Sequence, residues 1–232
     1  MRLSCKASVR RLIIKPLKRP LQRVNYPVLL FTKITGALPS WLFFRPRIYR
    51  VPDAPRGKLP GGTLLVSNHT SLLDFVLYLL IFPWNTLRFL IAEVLFSKST
   101  VLSRLLYALG GIFVDRTSHD FSFVADAVRV LQSGGIVGVF PQGRLPIGDT
   151  PFPFLPSAVY IALRSNATIV PVYTAGGYGR RRARVVIGAP FSLRSLRSGS
   201  DEPDQAELAA LNAMLQARVM ELAQTLPQEK KQ

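Results

Sequence analysis

From Thr63 onward the chain alternates short apolar runs with longer segments of helical spacing, and this alternation leaves few folds open. The runs Thr63–Ser67, Leu87–Ile91, Gly111–Val114, Gly135–Phe140, Thr168–Val172 and Arg184–Ile187 have strand length and are bounded by turn residues. Helices are expected over Ser71–Leu80, Thr100–Ala108, Phe121–Leu131, Ser157–Arg164 and Pro203–Leu226. Strands interleaved with helices predict an α/β fold, a single domain with a mixed sheet flanked by helices. At 232 residues, 48% of them apolar, the chain can build one substantial core and has little length left for a second.

Charge sets the first quarter apart. Residues 1–58 carry 14 Lys or Arg and one acid, Asp53, whereas the rest carries 16 basic and 12 acidic residues, so +13 of the +17 formal charge lies in this leader. Such a segment is drawn to anionic headgroups, by about 1 kcal/mol per Lys or Arg near the surface, and equally to polyphosphate backbones. The adjoining apolar stretch, Tyr26 to Phe44, favours the membrane. It is interrupted by Lys33, Gly36 and Pro39, and a central Lys is costly in a span. One or two short helices lying in the interface are therefore expected, with Trp41 near the headgroups and Arg45, Arg47 and Arg50 meeting phosphates. A tilted span and a helix that covers the core are the alternatives. The leader lacks the layout of a cleavable signal, so the folded part is expected on the cytoplasmic face of the membrane. Residues 1–50 thus read as a basic, apolar, membrane-associated leader and residues 51–232 as the main domain, with the Pro/Gly-rich segment Val51–Gly62 as the hinge. Nucleic acid is the disfavoured partner, because basic charge alone supports it.

Cys5 is the one cysteine and has no partner for a disulfide within the chain, and His69 and His119 are the only imidazoles. A multi-histidine or thiolate metal site is excluded on this count. A carboxylate-rich magnesium site has no tight motif in its favour. No cofactor is expected.

The chemical signal lies in Asn68-His69-Thr70-Ser71-Leu72-Leu73-Asp74. Positions five apart differ by about 140° around a regular helix, so periodicity alone does not bring His69 to Asp74. If His69 ends a strand just before the helix, the turn can carry its ring to Asp74 in the first helical turn. An imidazole held in one tautomer by a carboxylate can take a proton from an alcohol as that alcohol attacks an activated carbonyl. The competing reading is structural, with Asn68 or Thr70 capping a helix and His69 packing.

The His-x4-Asp segment resembles the first signature block of the lysophosphatidic acid and glycerolipid acyltransferase family. Gly110-Gly111-Ile112-Phe113-Val114-Asp115-Arg116 resembles the second block, Val139-Phe140-Pro141-Gln142-Gly143-Arg144 the third and Ile169-Val170-Pro171-Val172 the fourth. Four blocks in order cover roughly residues 61–175. The resemblance implies transfer from acyl-CoA or acyl carrier protein to a lysophospholipid acceptor, typically the free hydroxyl of 1-acyl-sn-glycerol 3-phosphate, giving phosphatidic acid. It makes His69 the general base, Asp74 its orienting acid and Arg116 a phosphate ligand, for which a guanidinium offers two parallel donors. Gln142, Gly143, Arg144 and Pro171 join Arg116 as substrate-binding positions.

The third block departs from the family, which has Glu, Gly, Thr and Arg where this chain has Gln142, Gly143, Arg144 and Leu145. Gln keeps hydrogen bonds but supplies no negative charge. Acylation of another lysolipid, such as a lyso-aminolipid, or a catalytically reduced lipid-binding role are the alternatives this raises. A backbone amide in the His69 turn is a candidate oxyanion donor. Pro171 also reads as a strand-ending residue. The basic turn around Gly176–Arg184 reads as a solvated hairpin or a phosphate contact, and Leu79, Leu80 and Phe89 as core or the wall of an acyl groove. The apolar spacing of the last helix predicts docking on the domain and does not dictate an oligomer.

Overall fold

A computed structural model describes residues 21–115, 121–146, 152–175, 182–197 and 203–227. Its elements run α1 (Tyr26–Phe44), β1 (Arg47–Arg50), β2 (Thr63–Ser67), α2 (Asp74–Ile81), β3 (Leu87–Ala92), α3 (Glu93–Ser97), α4 (Thr100–Ala108), β4 (Ile112–Val114), α5 (Ser122–Gln132), β5 (Ile136–Val139), α6 (Ser157–Ser165), β6 (Thr168–Ala175), β7 (Arg184–Ile187) and α7 (Gln205–Glu221). A 3-10 turn, Leu222–Thr225, closes α7.

β2 is buried at all five positions, which requires neighbours on both edges and cover on both faces. It has both. The sheet has seven strands in the order β1-β7-β6-β2-β5-β3-β4. Every pairing is parallel except β6 with β7, which is antiparallel. The expected mixed sheet is therefore present. One face packs Leu64, Val66, Val137 and Ile169 against α5, α6 and α7. The other packs Leu65, Phe89, Val170 and Val172 against α2, α3, α4 and Phe44 at the end of α1.

Three elements differ from the sequence expectation. The apolar leader forms one helix of 19 residues, with Pro39 inside it. Asn25 starts it, accepting from the Val28 amide at 3.2 Å, and Arg45 ends it in the left-handed region at φ 42°. Lys33, read as an interruption, pins the helix to the domain, its amine donating to the carbonyls of Pro83 and Asn85 at 2.7 Å each. Partial burial lowers the pKa of that amine. Second, Arg47 and Arg50 belong to β1, an edge strand paired with β7, so the first fifty residues contribute to the sheet. Third, Pro171 does not end β6. It sits mid-strand opposite Val66, and its carbonyl accepts from the Gly188 amide at 2.8 Å just past the end of β7, where the missing proline N–H costs one bond of a closing ladder.

Candidate active site

β2 is central and parallel to both neighbours, so its C-terminal end opens where ligands enter open α/β sheets. Asn68 and His69 follow there directly. Asn68 grips β6 as a two-pronged clamp: its side-chain nitrogen donates to the Thr174 carbonyl at 2.9 Å, and its oxygen accepts from the Thr174 amide at 2.8 Å. α2 begins at Asp74, three residues later than the spacing predicts, which frees residues 69–73 to wrap around the carboxylate. His69 Nδ1 lies 2.8 Å from Asp74 Oδ2. The same oxygen accepts from the amides of Thr70 at 2.7 Å and Ser71 at 2.9 Å, and Oδ1 accepts from the Thr70 hydroxyl at 3.0 Å. Asp74 is fully buried. A buried carboxylate so surrounded by donors is fixed in place. With Nδ1–H given to Asp74, the lone pair of His69 is on Nε2.

The ring plane is set by aromatic packing. His69 stacks on Phe140 at 4.4 Å between centroids and 13° between planes, and Phe140 stacks on Phe89 at 5.6 Å. Beneath them the Tyr78 hydroxyl bridges Ser67 and Thr174, 2.7 Å from the Thr174 hydroxyl. Burial, followed by the nearby Asp74 charge, pushes the Tyr78 phenol well above its usual range. It is a permanently neutral crosslink between β2, α2 and β6.

Gln142 is the contact that spacing did not reveal. The chain turns sharply after β5, the Gly143 amide donating to Phe140 at 3.0 Å. Gly143 has φ +67°, and a side chain there would crowd Leu155. The turn sends Gln142, 4% exposed, to His69, whose amide donates to Gln142 Oε1 at 2.5 Å. This narrows the oxyanion expectation: the amides of His69, Thr70 and Ser71 are spent on Gln142 and Asp74 and have no hydrogen left for an oxyanion. Arg144 is exposed and lies over the Phe152 ring at 4.3 Å. Pro171 packs beside Gly188 and Leu222, on the α7 side of the sheet, whereas Tyr78 and α2 lie on the other face. Arg116, His119 and the basic turn at 176–181 lie outside the described residues. Leu79 and Leu80 line an apolar groove between α1 and α2.

A carboxylate-fixed imidazole whose Nε2 has no partner among the described residues, at the C-terminal edge of a mostly parallel sheet, has the arrangement that a general base requires. The acyltransferase family model matches residues 50–175, more than half of the chain, and the chain belongs to that family; it is an acyltransferase. Among similar curated proteins is the 1-acyl-sn-glycerol-3-phosphate acyltransferase of Bacillus subtilis, 26% identical over 189 residues, which are 78% of this chain and 90% of that protein. Another is the human 1-acyl-sn-glycerol-3-phosphate acyltransferase beta, 28% identical over 137 residues, 57% of this chain and 48% of the human protein. The crystal structure of the 1-acyl-sn-glycerophosphate acyltransferase PlsC from Thermotoga maritima superposes with a TM-score of 0.58 at 19% identity, covering 88% of this chain and 81% of that one. The fold is shared.

Proposed function

We propose that this acyltransferase esterifies the free hydroxyl of 1-acyl-sn-glycerol 3-phosphate, with acyl-CoA or acyl carrier protein as donor, at the cytoplasmic face of a membrane. The observation that carries the reading is the 2.8 Å contact between His69 and a fully buried Asp74. The acceptor hydroxyl donates to Nε2 of His69, and its oxygen attacks the thioester carbonyl as Nε2 takes the proton. The tetrahedral intermediate collapses and expels the thiolate, which recovers the proton from the imidazolium; no acyl-enzyme forms. Asp74 holds the reactive tautomer and offsets the transient positive charge. Phe140 below the ring and Gln142 at the His69 amide fix the direction of Nε2.

The acceptor phosphate falls to Arg116 and Arg144. Both follow parallel strands, β4 and β5, whose C-terminal ends lie on the same edge as His69. Gly143 permits the turn that presents Gln142, and Pro171 acts through the path of β6 toward Thr174. The α1 surface supports the membrane location. Tyr26, Leu30, Phe31, Ile34, Leu38, Trp41 and Leu42 are each more than half exposed, and a large apolar side chain gains about 1.5–3 kcal/mol on leaving water. Purified protein supplied with both donors and a panel of lysolipids, with products weighed by mass spectrometry, tests the assignment. Phosphatidic acid is the expected product. Exclusive acylation of a lyso-aminolipid would overturn the acceptor assignment.

A further inference from the structure

The catalytic centre occupies the C-terminal edge of the sheet. At the opposite edge, where β2, β3 and β5 begin, lies an open cavity of about 970 Å³ that the reaction above does not use. Its floor is Arg88, the second residue of β3 and only 7% exposed. Arg88 Nε donates to the Gly110 carbonyl at 2.8 Å. Gly110 makes this seat available, since it has φ +84° and a Cβ there would stand 2.7 Å from Val24 and 3.2 Å from Arg88 Nε. Neither Nη group of Arg88 is hydrogen-bonded among the described residues. Both are open to solvent rather than sealed off, so they can give an anion in the cavity paired charge-assisted hydrogen bonds.

The surroundings fit an anion. Arg23 and Lys58 line the cavity and are exposed, and its described lining contains no carboxylate. Asp126 borders a smaller neighbouring cavity of about 260 Å³ that shares Arg88. Its Oδ1 already accepts from Arg129 at 2.7 Å. Burial lowers the pKa of the Arg88 guanidinium, against the opposing influence of Asp126 and Tyr26, and an arginine so placed keeps its charge.

We propose that this cavity binds a phosphate-class anion, held from below by the two Nη groups of Arg88 and from the rim by Arg23 and Lys58. It is separate from the acyl-transfer centre, because the length of β2, about 15 Å at strand rise, lies between Arg88 and His69. Tyr26 and Trp84 also line it, both exposed and of the type that settles at headgroup depth. The phosphate of an anionic lipid and that of a soluble phosphate ester share the chemistry the cavity recognises.

Full-length protein in detergent is titrated calorimetrically with inorganic pyrophosphate. In parallel it is floated with phosphatidylcholine vesicles with and without phosphatidylglycerol. Wild type, Arg88→Gln, Lys58→Glu, Arg23→Glu and His69→Ala are compared. Saturable binding is expected in wild type and His69→Ala, weakened about tenfold or more by loss of any one cation, as for a lost charge-assisted contact. The two rim variants decide the matter if Arg88→Gln fails to fold. Loss confined to the phosphatidylglycerol arm identifies a lipid headgroup, and loss confined to the pyrophosphate arm a soluble phosphate ester. Absence of saturable binding in both arms, or equal binding by wild type and the rim variants, overturns the proposal whatever the fate of acyl transfer.

Discussion

Asp74 illustrates how a side chain becomes functional through what surrounds it. Four hydrogen bonds that it accepts come from His69, Thr70 and Ser71, so the carboxylate organises the turn as well as the imidazole. Asp74→Asn is expected to lower kcat by roughly 100- to 10,000-fold, as when a base loses its orienting acid, with KM changed little; steady-state kinetics on membrane-recovered protein checks this. Tyr78→Phe removes the bridge between Ser67 and Thr174 and strands buried hydroxyls, a loss of about 1–3 kcal/mol to be read from chemical denaturation. The pairing of His69 with Asp74 was legible because both lie in one short segment, and the turn between strand and helix is what joins them. The Gln142 bond to the His69 amide, across 73 residues, was not legible. It exists only because β2 and β5 are neighbours in the sheet, and side-chain type does not report that adjacency.

Helices and strands were recoverable wherever the hydrophobic pattern and the local turn chemistry agreed. β2, β5 and α5 lie where apolar periodicity places them. α1 is longer than the one or two short helices expected, because Lys33, Gly36 and Pro39 do not interrupt it. In the fold Lys33 meets two carbonyls, and Gly36 faces the groove against α2. β1 was missed because two of its four residues are arginines, and an edge strand tolerates charge where a central one does not. Gly138 shows how closely the strands and the site are coupled. A methyl group there would fall 2.2 Å from the Phe89 ring, and Phe89 lies under Phe140, which lies under His69. Gly138→Ala should therefore cost about 1–3 kcal/mol by overpacking and reduce kcat through the tilted stack; thermal denaturation and kinetics on the same preparation check both.

One sheet carries the His69 turn at one edge and the Arg88 cavity at the other, beside an exposed apolar helix. Seven large exposed side chains on α1 amount to roughly 10 kcal/mol of apolar transfer at 1.5 kcal/mol each, which salt does not screen, whereas the attraction of the leader's cations, about 1 kcal/mol apiece, is screened. In concentrated salt, apolar insertion rather than charge should hold the protein. Membranes washed in concentrated salt should retain it, and Leu30→Gln, Phe31→Gln, Ile34→Gln combined should release it to the soluble fraction with its circular dichroism unchanged. Release of wild type by salt alone would reverse that order of forces. The central claim is that His69 removes the acceptor proton during acyl transfer. The decisive measurement is the rate of phosphatidic acid formation by wild type and His69→Ala, using acyl-CoA or acyl carrier protein and 1-acyl-sn-glycerol 3-phosphate, with equal membrane recovery. Loss of product in the variant is the predicted result, and an unchanged rate would contradict the account.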